Sequence, residues 1–229
     1  MQHDFQYVPK GKVQELTREL ETMIHEIQYE VRKYFTFQYR LIGSASRGMV
    51  TQDLKSNKGF DFDFNFYPND DDEEYSPEEI RKVFYNAINR IAPKYGYGPC
   101  ENHTKTLRIK VVDCMKSRII HSCDFVIVFD CKDGRQQYIR YNNKTNKYSW
   151  EYQPKGYAKM EEKADWLKRN NHWPELEDYY LRKKNNNTDP NKKSRSLYAE
   201  SIKELCNKYK YDIPVGMSRI EYEFRKNKF

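Results

Sequence analysis

The chain has 229 residues and a mass of 27.8 kDa, which is enough for one substantial hydrophobic core with a smaller appendage. Charged residues make up 33% of the sequence, but 20 Tyr, 12 Phe and 3 Trp supply bulky side chains for an interior, so the composition excludes a disordered chain. The net charge of +7 lies wholly in residues 182–229, where 13 Lys and Arg face 6 Asp and Glu, and this excess fits either a polyanionic partner or a solvated helical surface.

The N-terminal sequence MQHDFQYVPKGK carries charges where a signal peptide needs an apolar stretch, and no apolar run approaches the roughly 18 residues of a membrane span. We therefore expect a cytoplasmic protein without a membrane partner. The five cysteines show no C-x-x-C pair, which indicates reduced thiols. Cys114, Cys123 and Cys131 with His121 do not have the spacing of a familiar zinc site.

The first third of the chain predicts a helix followed by two strands. Apolar residues recur at helical spacing over Val13–Tyr34. The β-prone segment Phe37–Ile42 ends at Gly43, and a second strand follows at Phe60–Phe66. The intervening Gln52–Gly59 is expected to be an inserted loop.

A helix start is well marked after the acidic run Asp70–Glu74. This run lacks the alternating ligands and central glycine of a calcium loop, so it predicts a solvated turn. Ser76 can cap a helix that has Pro77 at its first position, and Glu79 can complete a capping box. The helix is expected to reach about Ala92.

The middle of the chain predicts three more strands. They are Thr104–Asp113, Arg118–Phe129 and Gln136–Tyr141. The second is apolar on both faces after Asp124, which is typical of a central strand, and the third is expected at the sheet edge.

The last third predicts helices at Tyr157–Arg169, Pro174–Lys184 and Ser196–Tyr209, separated in part by a polar loop at Asn185–Ser194. The fold class is therefore α+β, with a mixed β-sheet flanked by helices. The expected domains are a core over residues 1–154, with its N-terminal helix, and a smaller, basic helical lobe over residues 155–229.

Asp61 and Asp63 are the candidate metal ligands of the predicted strand Phe60–Phe66. Alternate residues of a strand face opposite sides, so the four Phe share the core face while the two Asp share the other. Paired carboxylates repel each other unless a proton or a cation lies between them. The pattern fits a divalent-metal site, although an amphipathic edge strand whose Asp side chains face water would show it too.

Gly43 and Ser44 lie upstream, where a strand ends and a short helix begins. Such a turn offers backbone N–H groups and a hydroxyl to phosphate oxygens. Arg47 follows, either as a phosphate contact or as an ion-pair partner that steadies the turn.

The order of these motifs resembles the polymerase-β-type nucleotidyltransferase superfamily: GSASRG after a strand, DFD on the next strand and CDF on a later one. The stretch that follows, DGRQQYIRYNNKTNKYSWEYQPKGY, is similar to bacterial cyclic-oligonucleotide synthases and oligoadenylate-synthase-like enzymes, where a Trp and a Pro precede a helical lobe, as Trp150 and Pro154 do here. The resemblance implies a nucleotidyltransferase-type fold for the core.

The resemblance also implies the roles of the site residues. Gly43 and Ser44 would hold the β and γ phosphates of a nucleoside triphosphate such as ATP. Asp61 and Asp63 would bind two Mg²⁺ or Mn²⁺ ions, and Asp124 would be the third carboxylate, near the acceptor hydroxyl.

Two other acids compete with Asp124 for the third position. Asp113 falls at a probable hairpin turn and Asp130 at a strand exit, both ordinary places for a surface acid, whereas Asp124 begins a buried run. Arg108 and Lys110 share a strand face and either line the cleft or face solvent.

The sequence thus predicts an enzyme that transfers a nucleoside monophosphate from an NTP to an acceptor hydroxyl and releases pyrophosphate. We expect a nucleotide acceptor first, giving a linear or cyclic oligonucleotide. An RNA 3′ end bound through the basic lobe, a small molecule or a protein side chain are the other acceptors. A catalytically silent nucleotide-binding or RNA-binding module of the same fold is the alternative function.

Overall fold

The structure is a computed structural model, and it describes residues 3–70, 73–154 and 157–211. Residues 3–154 form one compact unit, and the described residues 157–211 belong to a second.

The first unit combines a large sheet with two long helices. Its strands are β1 (Phe5–Tyr7), β2 (Thr36–Ile42), β3 (Thr51–Asp53), β4 (Phe60–Asn69), β5 (Glu101–Asn102), β6 (Leu107–Asp113), β7 (Arg118–Asp130), β8 (Gln136–Asn142) and β9 (Lys147–Tyr152). Its helices are α1 (Lys10–Val31), the short α2 (Gly43–Ser46) and α3 (Pro77–Ile91), which continues into a 3₁₀ turn at Ala92–Tyr95.

The sheet is mixed, as predicted, and β7 is its central strand. The strand order is β2-β4-β7-β6-β5, in which β4 and β7 run parallel and the other neighbours run antiparallel. The last residues of β7 pair with β8, and β8 pairs with β9. The predicted α+β fold with a mixed sheet flanked by helices is therefore confirmed.

The Phe side chains of β4 form the centre of the hydrophobic core, as their alternation predicts. Phe60, Phe62, Phe64 and Phe66 are each at most 2% exposed. Helices α1 and α3 contribute their apolar sides to the same core. The ring of Phe84 on α3 lies 5.2 Å from that of Phe66, so the helices cover this face of the sheet. The opposite face of β4 carries its polar residues.

Helix α3 begins with the capping box that the sequence predicts. The Ser76 hydroxyl accepts a hydrogen bond from the Glu79 backbone N–H, and the Glu79 carboxylate accepts one from the Ser76 N–H. Pro77 occupies the first turn, where its missing N–H costs nothing. This start fixes the direction of α3 across the sheet.

Two predictions about the strands are wrong. Strand β8 is not at an edge, because β7 pairs with its first residues and β9 pairs with it from Gln137 to Asn142. Gln52–Gly59 is not wholly a loop, since Gln52 and Asp53 belong to β3 and pair with β1. The loop closes tightly at Gly59, where a Cβ would overlap the backbone of Ile120.

The second unit consists of helices α4 (Tyr157–Arg169), α5 (Trp173–Asn185) and α6 (Ser194–Lys208), close to their predicted bounds. Helix α6 packs against both others through Leu197, Ile202 and Leu205, each at most 5% exposed. None of the helices in the described ranges combines the length and the apolar character needed to cross a bilayer.

Candidate active site

The polar face of the sheet carries a row of ionisable side chains across three strands. Asp63 on β4 is in register with Asp124 on β7, and Asp124 is in register with Arg108 on β6. Residues in register on neighbouring strands point to the same face, so these three side chains lie side by side, opposite the Phe core. Two residues earlier on the same two strands, Asp61 is in register with Ser122.

Asp63 lies close to the carboxylates of Asp124 and Asp61. Its side chain is half-buried, and burial raises the pKa of its carboxyl group to about 7, with further increases from Asp124 and Asp61. Arg108 and Arg47 act in the opposite direction without cancelling this effect. The ionised form of Asp63 is therefore disfavoured in the metal-free protein, and a nearby cation would stabilise it.

Asp124 is paired with Arg108 through both of its oxygens. It is 8% exposed, and its Oδ1 and Oδ2 accept hydrogen bonds of 2.6 Å each from Nε and Nη2 of Arg108. The hydrogen bond to Asp124 raises the pKa of Arg108 above its ordinary value. This is the planar, bidentate arrangement that makes an Arg–carboxylate pair strong.

Asp61 is exposed, and its carboxylate accepts a hydrogen bond from the Ser122 hydroxyl. Ser122 itself is buried, so a buried hydroxyl donates to an exposed acid. The arrangement orients one oxygen of Asp61 and leaves its side chain accessible to solvent.

Gly43 brings the turn between β2 and α2 against Asp63. Strand β2 ends at Ile42, which is in register with Asp63, and Gly43 follows with a φ of 72°. A Cβ at this position would overlap the Asp63 carboxylate, so the backbone here passes very close to the acid. Ser44 comes next in α2 and is half-exposed.

Arg47 follows directly after α2 and lies close enough to Asp63 for its charge to lower the pKa of that carboxyl group. The predicted ion pair that steadies the turn stays a prediction. A phosphate contact by the same guanidinium stays a prediction.

The two competitors for the third carboxylate position lie elsewhere. Asp113 is in register with Arg118, next to the turn between β6 and β7. Asp130 lies at the exit of β7 and accepts a hydrogen bond from Gln136. Neither is in the row formed by Asp63 and Asp124.

The carboxylates are ligands of the kind that divalent cations bind, but their side chains do not converge on one point. Within the described ranges, no three His, Cys, Asp or Glu side chains converge closely enough to hold a metal ion. Asp124 is instead paired with Arg108, and Asp61 accepts a hydrogen bond from Ser122. Carboxylate oxygens are nonetheless the ligands that Mg²⁺ takes, and the repulsion at Asp63 favours a cation there. The residues present therefore fit a divalent ion once Asp61 and Asp124 change partners.

Sequence reasoning missed two parts of this site. It left Arg108 and Lys110 together as cleft or solvent residues, whereas Arg108 belongs to the row and Lys110 forms an ion pair with Glu101. It did not single out Ser122 at all. The available signal was the alternation in β7, which puts Ser122 on the same face as Asp124.

No family model and no curated protein matches this sequence. Among solved structures, the fold is similar to that of Vibrio cholerae DncV cyclic AMP-GMP synthase in complex with nonhydrolyzable GTP, with a TM-score of 0.53 and 13% identity over 95% of this chain and 60% of that one. The GTP-bound form of Vibrio cholerae DncV gives a TM-score of 0.51 and 16% identity over 86% of this chain and 56% of that one. The 3′-deoxy GTP bound form of Escherichia coli DncV gives 0.50 and 14% over 79% and 50%.

This chain thus spans between one half and three fifths of the length of these synthases. At such low identity the likeness concerns the path of the backbone and not the individual site residues. The chain shares the fold of DncV, in agreement with the fold that the order of its motifs predicted.

Proposed function

We propose that this chain is a metal-dependent nucleotidyltransferase that transfers a nucleoside monophosphate from an NTP to an acceptor hydroxyl and releases pyrophosphate. The observation that carries the proposal is the placement of Asp63 beside Asp124 on parallel strands, with the backbone of Gly43 against the Asp63 carboxylate. The similarity in fold to DncV, solved with bound GTP, supports a triphosphate as the substrate.

The residues divide into a phosphate-binding group and a carboxylate group. Gly43 and Ser44 would bind the β and γ phosphates through backbone N–H groups and the Ser44 hydroxyl, and Arg47 would add a positive charge. The three carboxylates, those of Asp61, Asp63 and Asp124, would hold two Mg²⁺ or Mn²⁺ ions. Bound metal would neutralise the leaving pyrophosphate and lower the pKa of the attacking hydroxyl. Asp124 would also orient that hydroxyl and accept its proton.

We propose a nucleotide as the acceptor, so that the product is a linear or cyclic oligonucleotide. The likeness to a cyclic AMP-GMP synthase supports this choice, as does the order of Trp150 and Pro154 before the helices. Residues 1–154 would be the catalytic core, and residues 155–229 a helical lobe whose basic residues contact the acceptor. An RNA 3′ end is the next candidate because of that basic charge, followed by a small molecule or a protein side chain.

One observation favours a second function, a catalytically silent nucleotide-binding or RNA-binding module. Asp124 is already neutralised by Arg108, which leaves the three carboxylates unassembled. A protein that had lost the chemistry but kept the fold could retain such a pair permanently.

The test is release of pyrophosphate from each NTP in the presence of Mg²⁺ or Mn²⁺, alone and with nucleotide or RNA acceptors. Asp63→Asn should lower turnover by about 1,000-fold, because loss of a metal ligand removes several kcal/mol of transition-state stabilisation. Its melting temperature should not fall, since Asn removes a carboxylate whose charge is disfavoured in the folded protein.

Asp113→Asn is the matched control, because it removes a carboxylate on the same sheet but outside the row. Its activity should equal that of the unmodified chain. If folded Asp63→Asn protein keeps full activity, the site assignment is wrong. If NTP binds but no acceptor yields pyrophosphate, the silent module is the better account.

A further inference from the structure

The ion pair between Arg108 and Asp124 lies where the proposed third metal ligand should be free. The two residues are in register on β6 and β7, and the guanidinium engages both carboxylate oxygens at 2.6 Å. The Asp124 side chain is 11% exposed and that of Arg108 is 37% exposed. The acid is thus enclosed, while the guanidinium has room to move toward solvent.

The pair also decides how the negative charge of the site is distributed. Asp61 and Asp63 lie on β4, on one side of Asp124, whereas Arg108 lies on β6, on the other side. The guanidinium therefore binds both Asp124 oxygens from the side of the strand opposite to the two acids with which Asp124 would share a metal ion. Within the described residues, no three metal-ligating side chains converge closely enough to hold such an ion.

We propose that Arg108 is a positioning residue that holds Asp124 away from Asp61 and Asp63 in the metal-free protein and must release it before a divalent cation can be bound by all three carboxylates. This inference rests on the proposed function. The guanidinium and the metal ion compete for the same Asp124 oxygens, so Arg108 lowers the affinity of the site for metal.

The opposite role for Arg108 makes the opposite prediction. A partner that merely orients a metal ligand raises metal affinity, and its removal typically costs about 10-fold to 100-fold in binding. A competitor that is removed leaves the site more negative and its third ligand free, so metal binds more tightly. The sign of the change in metal affinity therefore separates the two roles without any measurement of turnover.

The experiment is a titration of the full-length protein with Mn²⁺ alone, with free Mn²⁺ measured by electron paramagnetic resonance. Arg108→Gln should bind Mn²⁺ about 10-fold more tightly than the unmodified chain, which corresponds to about 1.4 kcal/mol, because the ion no longer has to displace a guanidinium that holds both carboxylate oxygens. The gain should vanish when Asp124→Asn is added to Arg108→Gln, since the freed carboxylate is its source.

Arg140→Gln is the control, because Arg140 forms an exposed ion pair with Glu151 on β8 and β9, outside the row. It should leave Mn²⁺ affinity unchanged. Arg108→Lys is a second variant in case Arg108→Gln does not fold: a Lys keeps the charge but cannot engage both oxygens in the same planar way, so it should give a smaller gain.

The outcomes distinguish this inference from the proposed function. If Asp63→Asn abolishes Mn²⁺ binding but Arg108→Gln binds Mn²⁺ equally or more weakly than the unmodified chain, the role of Arg108 is overturned and the metal site stands. If Arg108→Gln binds more tightly but no pyrophosphate is released, Arg108 has the proposed role and the enzymatic function fails. If neither protein binds Mn²⁺, both proposals are overturned.

Discussion

At Gly43 the conformation of the backbone and the chemistry of the site depend on the same residue. Its φ of 72° belongs to the left-handed region that side chains with a Cβ adopt only at a cost, and its missing side chain lets Asp63 approach. A substitution here therefore acts in two ways, through strain and through displacement of the carboxylate.

Gly43→Ala should destabilise the chain by about 2–4 kcal/mol, because the cost of the left-handed conformation adds to a collision with the Asp63 carboxylate. Gly134→Ala separates the two effects: Gly134 has a φ of 79°, but a Cβ there meets nothing within 4 Å. It should cost only about 1–2 kcal/mol. Urea denaturation measures both, and equal losses would show that the contact with Asp63 carries no energy.

The sequence predicted the buried side chains of β4 well and the partners of its acids poorly. The alternation of Phe with Asp in Phe60–Phe66 predicted which side chains are buried, and the structure shows this burial. The pairing of Asp124 with Arg108 could not be read in the same way, because it depends on the register between two strands. Shifting that register by one residue would send Arg108 to the other face of the sheet.

Among the elements, α3 contains the largest departure from its expected pattern. A charged side chain such as that of Arg81 is expected on the solvated side of an amphipathic helix, yet Arg81 is 1% exposed. Its guanidinium donates to Asn102 Oδ1 at 2.8 Å, to the Ile139 carbonyl at 2.9 Å and to the Thr106 carbonyl at 3.0 Å. Through these bonds it ties α3 to β5, to β8 and to the segment before β6.

Arg81→Met should destabilise the chain by at least about 3 kcal/mol, since it leaves several enclosed acceptors without donors. Lys82→Met, on the neighbouring position, removes a charge that is exposed and paired within α3, and should change stability by less than about 1 kcal/mol. Thermal or urea denaturation gives the comparison. A small loss for Arg81→Met would mean that water replaces the guanidinium.

The elements that the sequence predicted are those with a long periodic pattern or a marked start. Helix α3 has both, with its capping box and its apolar spacing. Strands β1 and β3 have three residues each, too few to show a period, and they are stabilised by pairing with each other. Strand β9 was missed, and β8 was consequently placed at an edge, although Tyr148, Trp150 and Tyr152 alternate with polar residues as in a half-buried strand.

For the molecule as a whole, His121 links stability to pH. It lies on β7 at 6% exposure, with Nε2 2.9 Å from the Tyr97 hydroxyl and the rings of Phe60 and Phe62 nearby. Burial, with a smaller contribution from the charge of Lys12, lowers the pKa of His121 from 6.5 to about 4. His121 therefore binds a proton less readily in the folded chain than in the unfolded chain.

The sign follows from proton linkage. Between pH 6.5 and about 4 the unfolded state binds more protons at His121, so its contribution to stability is present above pH 6.5 and is lost as the pH falls, by about 3 kcal/mol in total. His121→Gln should show a shallower loss over this range in urea denaturation. Parallel curves for the two proteins would assign the acid sensitivity to other groups.

The parallel pairing of β4 with β7 also has a consequence for the order of folding. The β6–β7 and β8–β9 pairs join strands that are neighbours in the chain. Asp63 on β4 and Asp124 on β7, in contrast, are separated in the chain by α3, β5 and β6. Contacts between residues so distant in sequence require a costly loop closure and form late. We expect the three carboxylates to be assembled after the rate-limiting barrier, so Mn²⁺ should slow unfolding and leave the refolding rate unchanged. Stopped-flow refolding measures this, and acceleration by Mn²⁺ would place the site in the folding nucleus instead.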